Sequence, residues 1–410
     1  MDTSEEISFR GFINHLHSST DEPVSTTSAS EYLLTSHPGG FPIIEGNVAH
    51  FISRERPGVI AGVIGDWNGW DARKAIMTPI GHGLLHYQHE FEEDARLDYF
   101  FYEVDVDKLQ DLPFDEALIR APIHSMRDPL NPRVSESGFG LKSELAMPGY
   151  SRPAATLGQT GTVPGMLGER TIASKILGQE RSYTIYLPAS YSAHEKPYPT
   201  IYFKDGADYL KMGKAAIILD NLISMGMISP VVAVFIPPVA RTKEYNCGDD
   251  YVRFFCDELI PHMHDRYNLS TDPAKRAVIG PSLGGLISLY IGSQRPDLFG
   301  LIGAQSSAVH SVYGLDTYDS RTAYAVSPRL PARLHLVIGT YENCFDIDKQ
   351  GRCQDLLSPV RELRSVLEQS GYAYCYAEHH QGHSWGLWRD TLVDALTYFF
   401  GEGFTASSCS

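Results

Sequence analysis

One short segment of the chain has the residue types and spacing expected of a nucleophilic serine. The stretch Gly280-Pro281-Ser282-Leu283-Gly284 is a G-x-S-x-G pentapeptide, a pattern that exposes a serine hydroxyl on a sharp turn between a strand and a helix. The pentapeptide alone arises by chance in many proteins, but here an apolar strand pattern precedes it and an apolar helix pattern follows from Leu286. The sequence therefore predicts that Ser282 is a nucleophile, with the Leu283 N–H as an oxyanion donor. The alternative is a structural glycine-rich turn.

A serine nucleophile needs a base, and on this type of fold the chain order is serine, acid, histidine. His383 follows the last predicted strand, in the segment Gln381-Gly382-His383-Ser384-Trp385. His379 and His380 are nearby alternatives, but they lie closer to the strand end and are expected to be solvated. We predict His383 as the base, against the alternative of an ordinary surface histidine.

The acid of such a triad is expected just after the predicted strand Leu334–Ile338. Glu342 is the first carboxylate there and is our prediction, while Asp346 and Asp348 remain open alternatives. A second oxyanion donor is expected in the loop after an early strand. The segment Lys204-Asp205-Gly206-Ala207 fits, because Gly206 permits a close backbone approach, and we predict the Ala207 N–H. An ordinary turn is the alternative for this loop.

The elements that must position these residues alternate between strand and helix from Ser182 onward, which predicts a mostly parallel sheet with helices on both faces, an α/β hydrolase. The predicted strands are Tyr183–Leu187, Pro199–Phe203, Val231–Ile236, Arg276–Ile279, Leu301–Ala304, Leu334–Ile338 and Tyr372–Glu378. The predicted helices are Ala215–Met225, Val252–Tyr267, Leu286–Ile291, Pro359–Gln369 and Asp390–Phe400.

The first third of the chain has a different pattern, with short β-branched stretches at Val48–Ile52, Val59–Ile64 and Asp98–Val104. Such stretches, separated by turn residues, predict a small antiparallel sandwich. We expect an N-terminal segment at 1–40, the sandwich at 41–135, a linker rich in proline and glycine at 136–170, and the hydrolase domain at 171–405.

Composition narrows the classes of partner. The formal charge of −16 disfavours nucleic acid and anionic membranes, and no apolar run is long enough to span a bilayer. The six cysteines include no CxxC pair and no zinc-ligand spacing, so we predict no metal, no cofactor and mostly free thiols. Bridges between Cys344 and Cys353 or between Cys247 and Cys256 remain alternatives. The polar, acidic start of the chain has no leader-like pattern, which predicts a cytoplasmic location.

These residues resemble the enterochelin esterase family, within the esterase-D-like α/β hydrolases, over nearly the whole chain. Gly280–Gly285 is similar to the family's G-x-S-x-G-G, and Gly382-His383 with Trp388-Arg389 is similar to its G-H-x-x-x-x-W-R. Gly339–Glu342 resembles the G-x-x-E segment that carries the acid. Lys204 departs from the pattern, because the family has leucine before Asp-Gly. The segments at 65–70 and 99–101 resemble the family's immunoglobulin-like early-set domain.

The resemblance implies a serine esterase acting on a small-molecule ester, with the trilactone of ferric enterobactin as one candidate substrate. The alternatives are feruloyl or acetyl esters from plants and, in another functional class, an inert carbohydrate-binding protein using Trp67 or Trp70, for which core packing is the simpler role. A ferric tris-catecholate is a trianion and would need a cationic pocket. The candidate contacts are Lys204, Arg241, Lys243 and Arg389, for the last of which an ion pair is the alternative. Trp385, in the His383 segment, is a further predicted substrate contact.

Overall fold

The computed structural model describes residues 8–18, 40–138, 140–159, 161–311, 318–326, 330–347 and 353–402. The chain forms two compact units. The first contains the chain up to Ser151 together with two later segments, Cys344–Gln354 and His380–Ser384. The second contains Arg152–Asn343, Asp355–His379 and the chain from Trp385.

The second unit is built on an eight-stranded sheet in the order β10-β11-β13-β12-β14-β15-β16-β19. The pairs of β10 with β11 and of β11 with β13 are antiparallel, and the other neighbours are parallel. This confirms the predicted mostly parallel sheet. The strands are β10 (Met166–Ser174), β11 (Gln179–Leu187), β12 (Thr200–Lys204), β13 (Val232–Ile236), β14 (Arg276–Pro281), β15 (Leu301–Gln305), β16 (Arg333–Gly339) and β19 (Ala373–His379).

Helices cover both faces of this sheet because its strands are apolar on both sides. Tyr202 and Val278 point into one hydrophobic cluster, whereas their neighbours Phe203 and Ile279 point into another on the opposite face. The helices are α3 (Gly206–Lys211), α4 (Ala215–Ser224), α5 (Arg241–Tyr245), α6 (Asp249–Arg253), a π-helical segment (Phe254–Leu259), α7 (Ile260–His264), α8 (Leu283–Gln294), α9 (Ser320–Ala325), α10 (Leu357–Gln369) and α11 (Trp385–Phe400).

The carboxyl ends of four adjacent parallel strands meet at one edge of the sheet. Pro281 at the end of β14 lies opposite Gln305 of β15, and Gly339 at the end of β16 lies opposite His379 of β19. Residues that follow these strands are therefore brought to the same edge, which is where open α/β sheets hold their ligands.

Among its described residues, the first unit contains two larger antiparallel sheets besides the two-stranded sheet of β17 and β18. One has the order β1-β2-β5-β4, and the other has the order β3-β6-β9-β8 with β7 paired to β6. Strand β9 falls in the segment predicted as linker, so the sheet extends beyond the predicted boundary at 135. The elements are α1 (Phe9–Ser18), β1 (Ile43–Glu45), β2 (Val48–Arg54), β3 (Val59–Gly65), β4 (Thr78–Gly81), β5 (Leu84–Glu90), β6 (Arg96–Asp105), α2 (Phe114–Arg120), β7 (His124–Met126), β8 (Val134–Ser137), β9 (Gly140–Ala146), and the hairpin β17 (Asp346–Ile347) and β18 (Cys353–Gln354).

Aromatic packing joins the two sheets of the first unit. Phe51 of β2 meets Tyr99 of β6 edge to face at 5.1 Å between ring centroids, and Trp67 stacks on Phe51 at 5.5 Å. Trp70 lies against Phe100 and beneath the Lys142 ammonium. Both tryptophans therefore make packing contacts, in agreement with the simpler of their two predicted roles. The immunoglobulin-like assignment of this unit stays a prediction.

The cysteines differ from the predicted mostly free thiols. Cys344 and Cys353 form a disulfide that closes the β17–β18 hairpin, and Cys375 is also disulfide-bonded. Cys247 and Cys256 are free thiols. The spacing of the cysteines could not decide whether Cys344 and Cys353 are bridged, because spacing does not show which cysteines a hairpin brings opposite one another. Within the described residues, no helix is long and apolar enough to cross a membrane.

A buried carboxyl in the first unit gives a pH-dependent prediction. Asp66 is 4% exposed, and its Oδ2 accepts a hydrogen bond from the Asp98 backbone N–H at 2.7 Å. Burial, and then the charge of Asp98, raise the pKa of Asp66 to about 7, against the opposing charges of Lys142 and Arg96. Because the pKa of Asp66 is raised in the folded protein, its ionisation lowers the free energy of unfolding. This loss of stability is absent at low pH, grows as Asp66 ionises in the unfolded chain, and is complete above the folded pKa.

Asp66→Asn is therefore expected to raise the thermal midpoint at about pH 8 and to have little effect at about pH 5, where Asp66 is already neutral. Asp71→Asn is the matched control. Burial alone would raise the pKa of Asp71, but the bonds from Arg73 lower it overall, so this change should destabilise at pH 8 and the effect should fade in acid. Thermal melts across pH measure both. Equal destabilisation by Asp66→Asn at the two pH values would contradict the prediction.

Candidate active site

Ser282 has the backbone conformation of a strained turn between β14 and α8. Its φ of 56° and ψ of −122° are unusual for a residue with a side chain, and such strain clusters at functional sites. The Ser282 N–H donates to the Gln305 carbonyl at 2.8 Å, which ties the turn to β15. The side chain is half-buried. The strand, turn and helix that the pentapeptide predicts are all present.

The glycines around Ser282 are required by close contacts. A Cβ on Gly280 would lie 2.5 Å from the carbonyl carbon of Gly284, and a Cβ on Gly285 would lie 2.8 Å from Cβ of Ser307. Real Cβ atoms do not approach other atoms so closely, so larger residues would force the strand and helix apart. The small flanking residues thus keep α8 directly behind the serine.

Two backbone N–H groups are placed at helix starts near the turn. Leu283 is the first residue of α8, and Ala207 is the second residue of α3. The first N–H groups of a helix have no partner within the helix and suit a developing negative charge. The loop before α3 lies against the turn, since a Cβ built on Gly284 would be 3.0 Å from Asp205 Oδ2. Asp205 itself has a φ of 55°.

Glu342 is a fully buried carboxylate held at the ends of β15 and β16. Its Oε1 accepts a hydrogen bond from Ser306 Oγ at 2.6 Å and another from the Gly339 N–H at 2.8 Å. The Trp388 indole N–H donates in turn to Ser306 Oγ at 2.8 Å. A buried carboxylate persists only with such bonds. These contacts orient the side chain of the predicted acid.

Sequence reasoning missed Ser306 and its neighbour Gln305. Gln305 donates through its amide to the Trp388 carbonyl at 2.8 Å and to Thr391 Oγ1 at 2.9 Å, and it accepts from Tyr209. Three polar residues in succession, Gln305-Ser306-Ser307, at the end of a buried strand were the available signal. Gln305 and Ser306 join the serine turn to Glu342.

His383 lies in the segment His380–Ser384, which belongs to the first unit. Within that unit its ring packs on Phe345, with 4.8 Å between ring centroids. His380, one of the two alternatives, pairs on the surface with Asp94 at 2.6 Å, as its predicted solvated role requires. The other, His379, ends β19. The Asp346 side chain and the whole of Asp348 lie outside the described residues, so these alternatives to Glu342 are untested.

Comparison with known proteins identifies the family. A family model described as "Putative esterase" matches residues 174–399, more than half of the chain. The chain belongs to this esterase family. An uncharacterized protein of Bacillus subtilis, YjcH, is 28% identical over 57% of this chain and 96% of its own length. An endo-1,4-β-xylanase/feruloyl esterase of Xylanibacter ruminicola is 28% identical over 36% of this chain and 22% of its length.

A solved structure extends the likeness to both units. The ferric enterobactin esterase of Salmonella typhimurium aligns with a TM-score of 0.70, covering 90% of this chain and 98% of that protein at 19% identity. At this identity the likeness establishes the fold and not the substrate. The esterase described here therefore has the hydrolase fold predicted from its sequence.

Two predicted substrate contacts of the esterase, Lys204 and Trp385, are buried in the structure, which counts against their predicted roles. Lys204 has no exposed surface, its ammonium lies 3.1 Å from the centre of the Phe255 ring, and burial lowers its pKa well below the usual value. Trp385 is 7% exposed and packs edge to face on Tyr209 and Trp388 within the core.

The remaining predicted cations are mostly engaged in ion pairs. Arg241 makes a two-pronged bond to Asp205, with both N–O distances at 2.8 Å, and its Nη2 also lies 3.4 Å from the Pro281 carbonyl. Arg389 bonds its neighbour Asp390 at 2.9 Å, so the ion-pair alternative holds for this residue. Lys243 is exposed. Arg241 thus joins the α3 loop to the serine turn.

Arg241→Ala is consequently expected to lower turnover of neutral and anionic esters alike, by about 10-fold, because it leaves the buried Asp205 without its charge partner. Steady-state kinetics on a neutral and an anionic ester measure the effect, with Lys243→Ala as the control for a nearby exposed cation. A higher KM for the anionic ester alone would restore a substrate-binding role for Arg241.

Proposed function

We propose that this chain is a serine ester hydrolase with the triad Ser282, His383 and Glu342. The observation that carries the proposal is the backbone conformation of Ser282. Such a strained φ and ψ costs stability, and it is retained where a turn must expose a reactive hydroxyl. Membership of the esterase family supports the reaction class.

In the proposed reaction the Ser282 Oγ attacks the ester carbonyl carbon while His383 takes the hydroxyl proton. The tetrahedral oxyanion accepts hydrogen bonds from the N–H groups of Leu283 and Ala207. Its collapse breaks the ester bond, and the leaving alcohol takes the proton from His383. Water then attacks the acyl-enzyme by the same route, which releases the carboxylic acid and restores Ser282.

Glu342 is proposed to orient His383 and stabilise its protonated form. The position of the histidine in the chain supports this pairing, because β19 runs parallel to β16 with His379 opposite Gly339, and His383 follows four residues later. The bonds from Ser306 and Gly339 fix the Glu342 carboxylate at this same sheet edge. The order serine, acid, histidine along the chain is that of α/β hydrolases.

For the substrate we propose a trilactone of the enterobactin type, with feruloyl or acetyl esters as the alternative. The Salmonella ferric enterobactin esterase shares both units of this chain, whereas the feruloyl esterase relative aligns over about a third of it. The burial of Lys204 and the ion pairs of Arg241 and Arg389 count against the predicted cationic pocket. A trianionic iron complex is therefore a weaker candidate than the uncharged, iron-free trilactone.

A panel of esters tests both levels of the proposal. Turnover of p-nitrophenyl acetate that Ser282→Ala abolishes would establish the hydrolase, and no turnover of any ester would favour the binding-protein alternative. Faster hydrolysis of the iron-free trilactone than of feruloyl and acetyl esters would support the proposed substrate. The reverse order would establish the alternative. The cytoplasmic location also stays a prediction, and the disulfides count against it because such bonds persist in oxidising compartments.

A further inference from the structure

We infer that Arg96 and Asp66 of the first unit are positioning residues for His383. On this view, contacts within the first unit determine the position of the histidine. The inference rests on the proposed function, in which His383 is the base. The observation behind it is that the segment His380–Ser384, far along the chain, belongs to the first unit.

The backbone of Arg96 holds the start of this segment. The Arg96 N–H donates to the His380 carbonyl at 3.0 Å, and Arg96 forms a parallel β-bridge with Gln381. Arg96 is the first residue of β6, and its partner His380 lies 284 positions later in the chain. The chain that leads into His383 is fixed at its backbone.

The guanidinium of the same residue holds the other end of the segment. Arg96 Nη1 donates to Ser384 Oγ at 3.0 Å, and Ser384 is 4% exposed. Arg96 has no exposed surface, and its Nη2 pairs with Glu144 at 2.6 Å and with Asp98 at 2.8 Å. Two carboxylates on β6 and β9 thus fix the guanidinium that bonds Ser384. One arginine anchors the residues on both sides of His383.

Asp66 supports the middle of the segment by direct packing. A Cβ built on Gly382 would lie 2.1 Å from Asp66 Cγ and 2.4 Å from its Cβ, so only glycine fits at this position. Asp66 is itself held by the Asp98 N–H at 2.7 Å. The residue immediately before His383 therefore rests on the turn that follows β3, in the segment Gly65–Trp70.

These contacts matter for catalysis because a displacement of about 1 Å in a reacting group costs about 100-fold in rate. Arg96→Ala is a poor test, since it leaves Asp98 and Glu144 buried without the arginine's charge and endangers folding. Gly382→Ala is sharper, because it pushes the segment away from Asp66 without removing a charge. Gly138→Ala is the matched control, since its Cβ would meet nothing within 4 Å in the same unit.

Gly382→Ala in the full-length chain is expected to lower kcat for p-nitrophenyl acetate by about 100-fold, with KM little changed. Gly138→Ala should retain wild-type kinetics. Ser384→Ala, which removes the acceptor for Arg96, should lower kcat by about 10-fold. Ser143→Ala removes another buried hydroxyl of the same unit, one that accepts from the Asp128 N–H, and it should cost stability without this loss of kcat.

Two further variants separate positioning from general damage. In a His383→Ala background, Gly382→Ala should have no additional effect on residual turnover, because positioning acts only through the histidine. Adding Asp66→Gly to Gly382→Ala should recover at least 10-fold of kcat, since it removes the atoms that the new Cβ would meet.

The results distinguish the inference from the proposed function. If His383→Ala retains turnover, the proposed base is wrong. If His383→Ala abolishes turnover but Gly382→Ala and Ser384→Ala match wild type, the triad stands and the positioning role is overturned. An equal further loss from Gly382→Ala in the His383→Ala background would also overturn it, because the damage would then not act through His383.

Discussion

Ser282→Ala is expected to lower ester hydrolysis by about 10⁴-fold or more while leaving the fold intact. The change removes only the Oγ, the atom that is proposed to form the acyl-enzyme, and the Ser282 N–H that donates to Gln305 remains. The residual rate of the Ser282→Ala enzyme would come from the oxyanion donors and from substrate binding. Because the lost group acts in the transition state, kcat should fall and KM should change little.

Initial rates on p-nitrophenyl acetate measure this loss, and circular dichroism and thermal melts check the fold. Ser293→Ala is the control, because it removes a hydroxyl from the same helix, one that donates to the Tyr290 carbonyl and also lies within hydrogen-bond distance of the Tyr318 hydroxyl and the Gln294 amide. Its rate should equal wild type. A Ser282→Ala enzyme that keeps a tenth of wild-type turnover would show that another residue is the nucleophile.

His383→Ala and Glu342→Gln are both expected to lower turnover, and His383→Ala is expected to have the larger effect. His383→Ala should cost about 10⁴-fold or more because it removes the group that is proposed to carry the proton in both halves of the reaction. Glu342→Gln should cost less, about 10²- to 10³-fold, because the acid orients and stabilises the base without transferring a proton itself. The amide also retains an oxygen that can accept from Gly339 and Ser306, so the fold should persist.

The two other candidate carboxylates provide the comparison. Asp346→Asn and Asp348→Asn should each leave turnover within about twofold of wild type. If either of them abolishes hydrolysis while Glu342→Gln is silent, the triad acid has been assigned to the wrong carboxylate. Measuring all four variants on one neutral ester keeps substrate charge out of the comparison.

The sequence was sufficient to predict the parts of the site that depend on local patterns. Strand β14, the turn at Ser282 and helix α8 follow one another without interruption over Arg276–Gln294, and the steric demand on Gly280 follows from the same stretch. The core strands of the second unit were predicted because they are buried on both faces and are therefore continuous apolar runs. The buried position of Glu342 also agrees with its predicted place after β16.

Lys204 shows where local reasoning failed although a signal was present. Lys204 is the last residue of β12, and successive side chains along a strand point to opposite faces of the sheet. Lys204 must therefore share a face with Tyr202, which points into the core beside Phe255. Counting along the strand would have directed the lysine away from the substrate side.

The contacts of Arg96 could not be read from the sequence. They join β6 to residues nearly 300 positions later, and nothing in the composition of either segment indicates the pairing. Strand β9 was missed for a related reason, because its residues Gly140–Ala146 follow a stretch rich in turn formers and gain their strand conformation by pairing with β6 and β8. Tertiary pairing decides both cases.

The most direct test of the central claim is covalent labelling of the nucleophile. The full-length protein is treated with a fluorophosphonate, which reacts with activated serine hydroxyls, and its peptides are sequenced by mass spectrometry alongside loss of p-nitrophenyl acetate hydrolysis. We predict one phosphonyl group per chain, located on Ser282, with loss of activity in proportion to labelling and no labelling of Ser282→Ala or His383→Ala on the same timescale. Complete inactivation with Ser282 unmodified, or full labelling of Ser282 with activity retained, would contradict the claim that Ser282 is the nucleophile of this esterase.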